Sequence, residues 1–128
     1  MKPWNYDYLK TILKDEPLPA MVVDLGALNK NIEYFSTAAK KHGKKIRVAS
    51  KSVRVPFLLR HMLEQGKETF QGLMCFSVSE AAYLAKEGFS DLLVAYPSTH
   101  SSDLKQACEA STDSKICLCS QQSRPCTP

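Results

Sequence analysis

Apolar residues along this chain recur with two alternating periods, one helical and one extended. Tyr8, Leu9, Ile12 and Leu13 fall at helical spacing, which predicts a short amphipathic helix within residues 1–18, ended by Pro17 and Pro19. Ala20 to Asp24 (AMVVD) is a short apolar run bounded by a proline and an acidic residue, the pattern of a buried strand. Leu28, Ile32, Phe35 and Ala39 then share one helix face, with Asp24 as N-cap and Gly43 as stop. Next, Ile46, Val48 and Ser50 alternate with Arg47, Ala49 and Lys51, predicting a strand whose last residue is a lysine.

The alternation of strand and helix continues. Pro56 suits the first turn of a helix, because its missing N–H would have no partner there. Leu58, Leu59, Met62 and Leu63 form that helix's buried face. Phe70 to Phe76 (FQGLMCF) reads as a strand, and Ser77-Val78-Ser79-Glu80 has the spacing of a capping box before the next helix. Asp91 to Tyr96 (DLLVAY), a helix through Leu104, Ala107 and Cys108, and a strand from Lys115 to Leu118 complete the series. Strands and helices alternating every ~20–25 residues predict βα units and a parallel sheet, either doubly wound or part of a closed barrel. The chain has no G-x-G-x-x-G after a strand and no glycine-rich phosphate loop with lysine, which disfavours nucleotide-binding open sheets.

Composition narrows the function classes. With 44% hydrophobic and 23% charged residues in 128, the chain has enough apolar surface for one core and is not of disordered type. No apolar stretch approaches the roughly 18 residues of a membrane span, and Met1 to Lys14 lacks the apolar centre of an export signal, so a cytoplasmic location and no membrane partner are expected. Five cysteines are an odd number, which excludes complete pairing within one chain. Cys117 and Cys119 form a C-x-C pair with no histidine or further pair at ligand spacing, so no metal site is expected. The net charge of +4 concentrates between Lys40 and Arg60. That run is split among a helix end, a turn and a strand without interleaved aromatics, so it reads as helix-end complement and solvated surface, with no nucleic-acid partner.

In parallel α/β folds, reactive groups gather at the C-terminal ends of strands. Lys51 falls there, flanked by Val48, Ala49, Val53 and Val55. Desolvation by such neighbours favours the free amine, which can attack an aldehyde. By position alone a solvated lysine reads at least as well, since lysines are mostly exposed. The run IRVASKSVRVP (Ile46 to Pro56) resembles the cofactor-lysine segment of the amino acid deaminase/aldolase family, whose relatives include D-threonine aldolase, D-serine dehydratase and the alanine racemase N-terminal domain. FQGLMCFSVSEAAYLAKEGFSDLLVAYPS (Phe70 to Ser98) is similar to that family's second and third barrel units, and PAMVVDLGALNKNI (Pro19 to Ile32) to its first strand and helix.

The resemblance implies an α/β fold, the first three to four βα units of a (β/α)8 barrel. It divides the chain into an N-terminal helical lead-in (1–18), a partial alanine racemase-like barrel (19–118) and a non-homologous tail (119–128). It implies a pyridoxal 5'-phosphate enzyme acting on an amino acid by C–N or C–C lyase chemistry, with Lys51 carrying the cofactor as an aldimine and serving as a general base. A non-catalytic pyridoxal-phosphate carrier is the alternative. Arg47, if on the same strand face as Lys51, would lower the lysine's proton affinity; Arg54 would meet a phosphate or a carboxylate. For both arginines a surface salt bridge reads equally well. A homodimer is implied for the full-length family. Two departures stand out: Gly26, which should weaken the helix start by about 0.5–1 kcal/mol, and the tail after Leu118, which lacks periodicity. The tail suggests a frameshift or early stop, an absent C-terminal β domain, and an isolated chain without activity, since such a barrel needs about 250 residues.

Overall fold

The computed structural model describes residues 4–112 and 114–119. Asn5 caps helix α1 (Tyr6–Ile12), accepting from the Tyr8 N–H at 2.9 Å. Asp24 caps the longer α2 (Leu25–Lys41): one carboxylate oxygen accepts from the Ala27 N–H at 3.0 Å, the other from the Trp4 indole at 2.8 Å. A Cβ at Gly26 would stand 3.1 Å from that carboxylate, so the glycine expected to weaken this helix start also leaves its cap room. Lys40 and Lys41 occupy the last turn, where cations complement the helix dipole, and Gly43 follows in the left-handed region at φ 59°.

The strand expected at residues 20–24 is not formed. The segment pairs with no strand of the described sheet, and Met21 is 96% exposed. An apolar run becomes a strand only where a neighbour can take its backbone hydrogen bonds, and here none lies alongside.

Beyond it the βα alternation holds. The elements are β1 (Ile46–Ala49), a one-turn helix α3 (Ser50–Val53), α4 (Pro56–Gly66), β2 (Phe70–Cys75), α5 (Val78–Lys86), β3 (Leu92–Val94), α6 (Ser101–Ala110) and β4 (Ile116–Leu118). The strands make one parallel sheet in the order β1-β2-β3-β4. A doubly wound sheet reverses its strand order partway; this one does not. With right-handed crossovers, sequential order puts every connecting helix on the same face. Burial agrees. Val48, Leu73, Cys75, Leu92 and Val94 are buried in one cluster with Leu59, Val78, Ala81, Leu84 and Ala107 of the helices. The opposite row, Ala49, Met74, Leu93 and Cys117, is paired strand to strand across the sheet and lies outside that cluster, with Cys117 exposed.

Register slips once. Ile46 pairs with Phe70 but Val48 with Leu73, so β2 carries one extra residue, a bulge. Gly72 supplies it at φ 58°, and a Cβ there would fall 2.0 Å from the Asp91 carbonyl oxygen. Only glycine meets both demands. Arg47 closes over the bulge: its Nη1 donates to the Asp91 carbonyl at 2.6 Å and its Nη2 bridges both Asp91 carboxylate oxygens at 3.1 Å.

Candidate functional site

At the C-terminal edge of the sheet, three successive strands each deliver a side chain just past their last residue. β1 ends at Ala49 and is followed by Lys51; β2 ends at Cys75 and is followed by Phe76; β3 ends at Val94 and is followed by Tyr96. The Lys51 Nζ donates to the Tyr96 hydroxyl at 3.1 Å and lies 5.2 Å from the ring centre. An amine that near the oxygen and that far from the centre stands off the hydroxyl end, so the hydrogen bond holds it rather than the ring face. The Tyr96 ring is tilted against Phe76, centroids 5.0 Å apart at 60°.

Lys51 does not end a strand as its alternation suggested. The backbone turns after Ala49 into α3, where Ser50 is fully buried and its hydroxyl donates to the Met74 carbonyl at 3.2 Å. That bond ties the turn to the neighbouring strand and leaves Lys51 half-buried on the other side. Arg54 ends the turn in the left-handed region at φ 51°, its N–H reaching the Ser50 carbonyl at 2.8 Å and its Nε the Lys51 carbonyl at 3.1 Å. Arg54 also lines a cavity of about 340 Å³ with Phe76, Ser77, Glu80 and Tyr83.

Arg47 goes elsewhere. Its guanidinium is bound to Asp91, which precedes β3, whereas the Lys51 amine meets Tyr96, which follows it. Those two partners stand at opposite ends of the three-residue strand β3. The alternation that would have put Arg47 and Lys51 on one strand face stops at Ala49. Burial raises the Asp91 carboxyl's proton affinity, but the hydrogen bonds and charge of Arg47, helped by Gln71 and Lys115, outweigh it, and its pKa lies below the ordinary value.

Sequence reasoning did not place Tyr96 or Phe76 at the site, and read Glu80 only as part of a capping box. The Glu80 carboxylate accepts from the Phe76 N–H at 2.6 Å, while its own N–H donates to the Ser77 hydroxyl at 3.2 Å. The signal for Tyr96 lay in the same rule that singled out Lys51: it closes an apolar run at a strand's C-terminal end, immediately before Pro97. The basic run is dispersed by the fold. Lys45 donates to the Glu68 carbonyl, Arg47 pairs with Asp91, and Arg60 donates to the Glu87 carbonyl at 2.7 Å and stacks over Phe89. No helix among the described residues is long and apolar enough to cross a membrane.

No family model matches the chain, and no curated protein matches it. Among solved structures it is similar to D-threonine aldolase from Filomicrobium marinum, with a TM-score of 0.75 and 23% identity, over 86% of this chain and 29% of that one. The likeness is one of fold, and the chain spans less than a third of the aldolase's length.

Proposed function

We propose that this chain is the lysine-bearing part of a (β/α)8-barrel enzyme that uses pyridoxal 5'-phosphate on an amino acid, with lyase or aldolase chemistry. The observation that carries the reading is the Lys51 amine, half-buried at the C-terminal edge of a singly wound parallel sheet and 3.1 Å from a hydroxyl. A fold shared with a segment of D-threonine aldolase and the aldolase-like wording of residues 46–56 support it.

The residues present fit the aldehyde end of that cofactor. A primary amine held at the strand mouth is the group an aldehyde condenses with, and Arg54, whose Nε donates to the Lys51 backbone carbonyl, offers a cation for phosphate or carboxylate from the same turn. When bound, pyridoxal phosphate supplies an electron sink for bonds breaking at an amino acid's α-carbon. The chain's own residues hold the amine, offer one guanidinium and close one wall of the mouth. Arg47 has a structural role on this reading, clamping the bulge. Among the described residues β1 and β4 are the outer strands of the sheet, so these residues alone are expected to bind cofactor without turning over substrate. An amino acid is the proposed substrate, and a homodimer the proposed working form.

The test is site-specific trapping. Protein incubated with pyridoxal phosphate and reduced with borohydride is digested and mapped by mass. Label is expected on Lys51 far ahead of Lys105, whose side chain is 79% exposed, and Lys51→Ala should abolish the preferential label. Equal labelling of the two lysines would refute the assignment.

A further inference from the structure

A lysine side chain has four rotatable bonds, and ordering one costs rotamer entropy. An amine kept at one place is therefore kept there by a contact. For Lys51 the contact is the Tyr96 hydroxyl, and Tyr96 is itself fixed from two sides. Its backbone precedes Pro97, which restricts it to extended conformations. Its ring rests on Phe76, whose N–H is held by Glu80 at 2.6 Å, and Glu80 is seated in the capping turn of α5 through Ser77. The result is a braced hydroxyl facing the amine, with support from two strands and one helix start.

We propose that Tyr96 is the positioning residue for Lys51: its hydroxyl accepts from the amine and presents the nitrogen at the strand mouth, with Phe76 and Glu80 bracing the tyrosine. This deepens the cofactor reading and rests on it. The cation–π geometry plays little part, since the amine lies off the hydroxyl end of the ring. Tyr96→Phe keeps the ring and its packing on Phe76 and removes only the oxygen. Tyr96 is half exposed, so this change leaves the core intact.

The experiment follows the rate of reductive trapping at Lys51 over a series of pyridoxal phosphate concentrations. In each trapping event the lysine nitrogen bonds to the aldehyde carbon, the carbonyl oxygen leaves as water, and borohydride supplies the hydride that fixes the bond. The limiting rate reports how well the amine is presented; the half-saturating concentration reports how well the cofactor is held. Loss of the contact that orders the amine should lower the limiting rate in Y96F about 3–10-fold. The half-saturating concentration should change less than about twofold, and the rate at Lys105 should not change. In the cofactor-free protein, nuclear Overhauser contacts between the Lys51 ε-methylene and the Tyr96 ring protons should be present. Selective trapping at Lys51 that is equally fast in wild type and Y96F overturns the role of Tyr96 and leaves the cofactor reading standing. Absence of the Overhauser contacts also overturns it. Trapping at Lys51 no faster than at Lys105 in the wild type removes the cofactor reading itself, and Tyr96's role with it.

Discussion

At the scale of single residues, adjacent positions at a strand end are sent to opposite environments. Phe76 lies half exposed at the mouth, while Cys75, one residue earlier, is 1% exposed beneath the helices. Burial pushes the Cys75 thiol up to about 11; Glu80 adds to the shift, and the Ser50 hydrogen bond and Arg47 only partly oppose it. The thiolate is the reactive form, so Cys75 is protected twice, by access and by protonation. Cys108, Cys117 and Cys119 are exposed. With a water-soluble thiol reagent near neutral pH, those three should label first, and Cys75 should label only as fast as the fold opens. Peptide mapping of labelled cysteines over time checks this; Cys75 reacting as fast as Cys108 in native protein would refute the burial assigned to β2.

At the scale of elements, the joint between β2 and β3 is made by one pair of side chains and one glycine. Asp91 takes the left-handed region at φ 57°, which short polar residues tolerate, and Gly72 gives the room. Replacing Asp91 with Asn removes the charge-assisted bonds from Arg47 and should cost about 1.5–3 kcal/mol at neutral pH. The pH dependence has a definite sign. Asp91's folded-state pKa lies below its unfolded value, taken as 3.8, so its contribution is complete above that value and is lost as pH falls through the lower folded one. Urea unfolding of wild type and Asp91→Asn should therefore show a gap that is constant from pH 7 to pH 5 and narrows below about pH 4. A gap unchanged at pH 3 would rule out the ion pair as its source. Much of this region was legible before the fold was known. Strand β2 forms over Phe70–Cys75 of FQGLMCF and β3 over Leu92–Val94 of DLLVAY, and the Asp24 cap and the Ser77 half of the capping box form as the residue pattern indicates. The bulge was not read, although an isolated glycine within a strand is its usual mark. Without the bulge, plain alternation would group Phe70 with Met74; with it, Phe70 shares the buried face with Leu73 and Cys75. The reach of Glu80 to the Phe76 N–H, one residue short of the box's usual partner, depends on the turn's geometry, which no spacing rule specifies.

At the scale of the whole molecule, the described helices cover one face of the sheet and leave the other outside the buried cluster. Periodicity could reveal the order of strands and helices, because each βα unit is local. It could not reveal which apolar runs find partners. Residues 20–24 look like a buried strand by composition, yet residues 20–23 lie exposed, since pairing belongs to the neighbours and not to the run itself. The same reasoning separates Leu92 from Leu93, adjacent and chemically identical. Leu92 is 0% exposed in the helix-covered core, whereas Leu93 sits in the row with Met74 and Cys117 outside that core. Leu92→Ala should destabilise the chain by about 2–5 kcal/mol, the cost of a filled site left partly empty. Leu93→Ala removes less buried area and leaves no enclosed cavity, so about 1 kcal/mol or less is expected. Urea midpoints of the two variants, measured with the same slope, test the difference directly. Equal losses would mean that the open face is packed in solution by something other than the helices, and a closed barrel or a second chain would then have to supply the contacts.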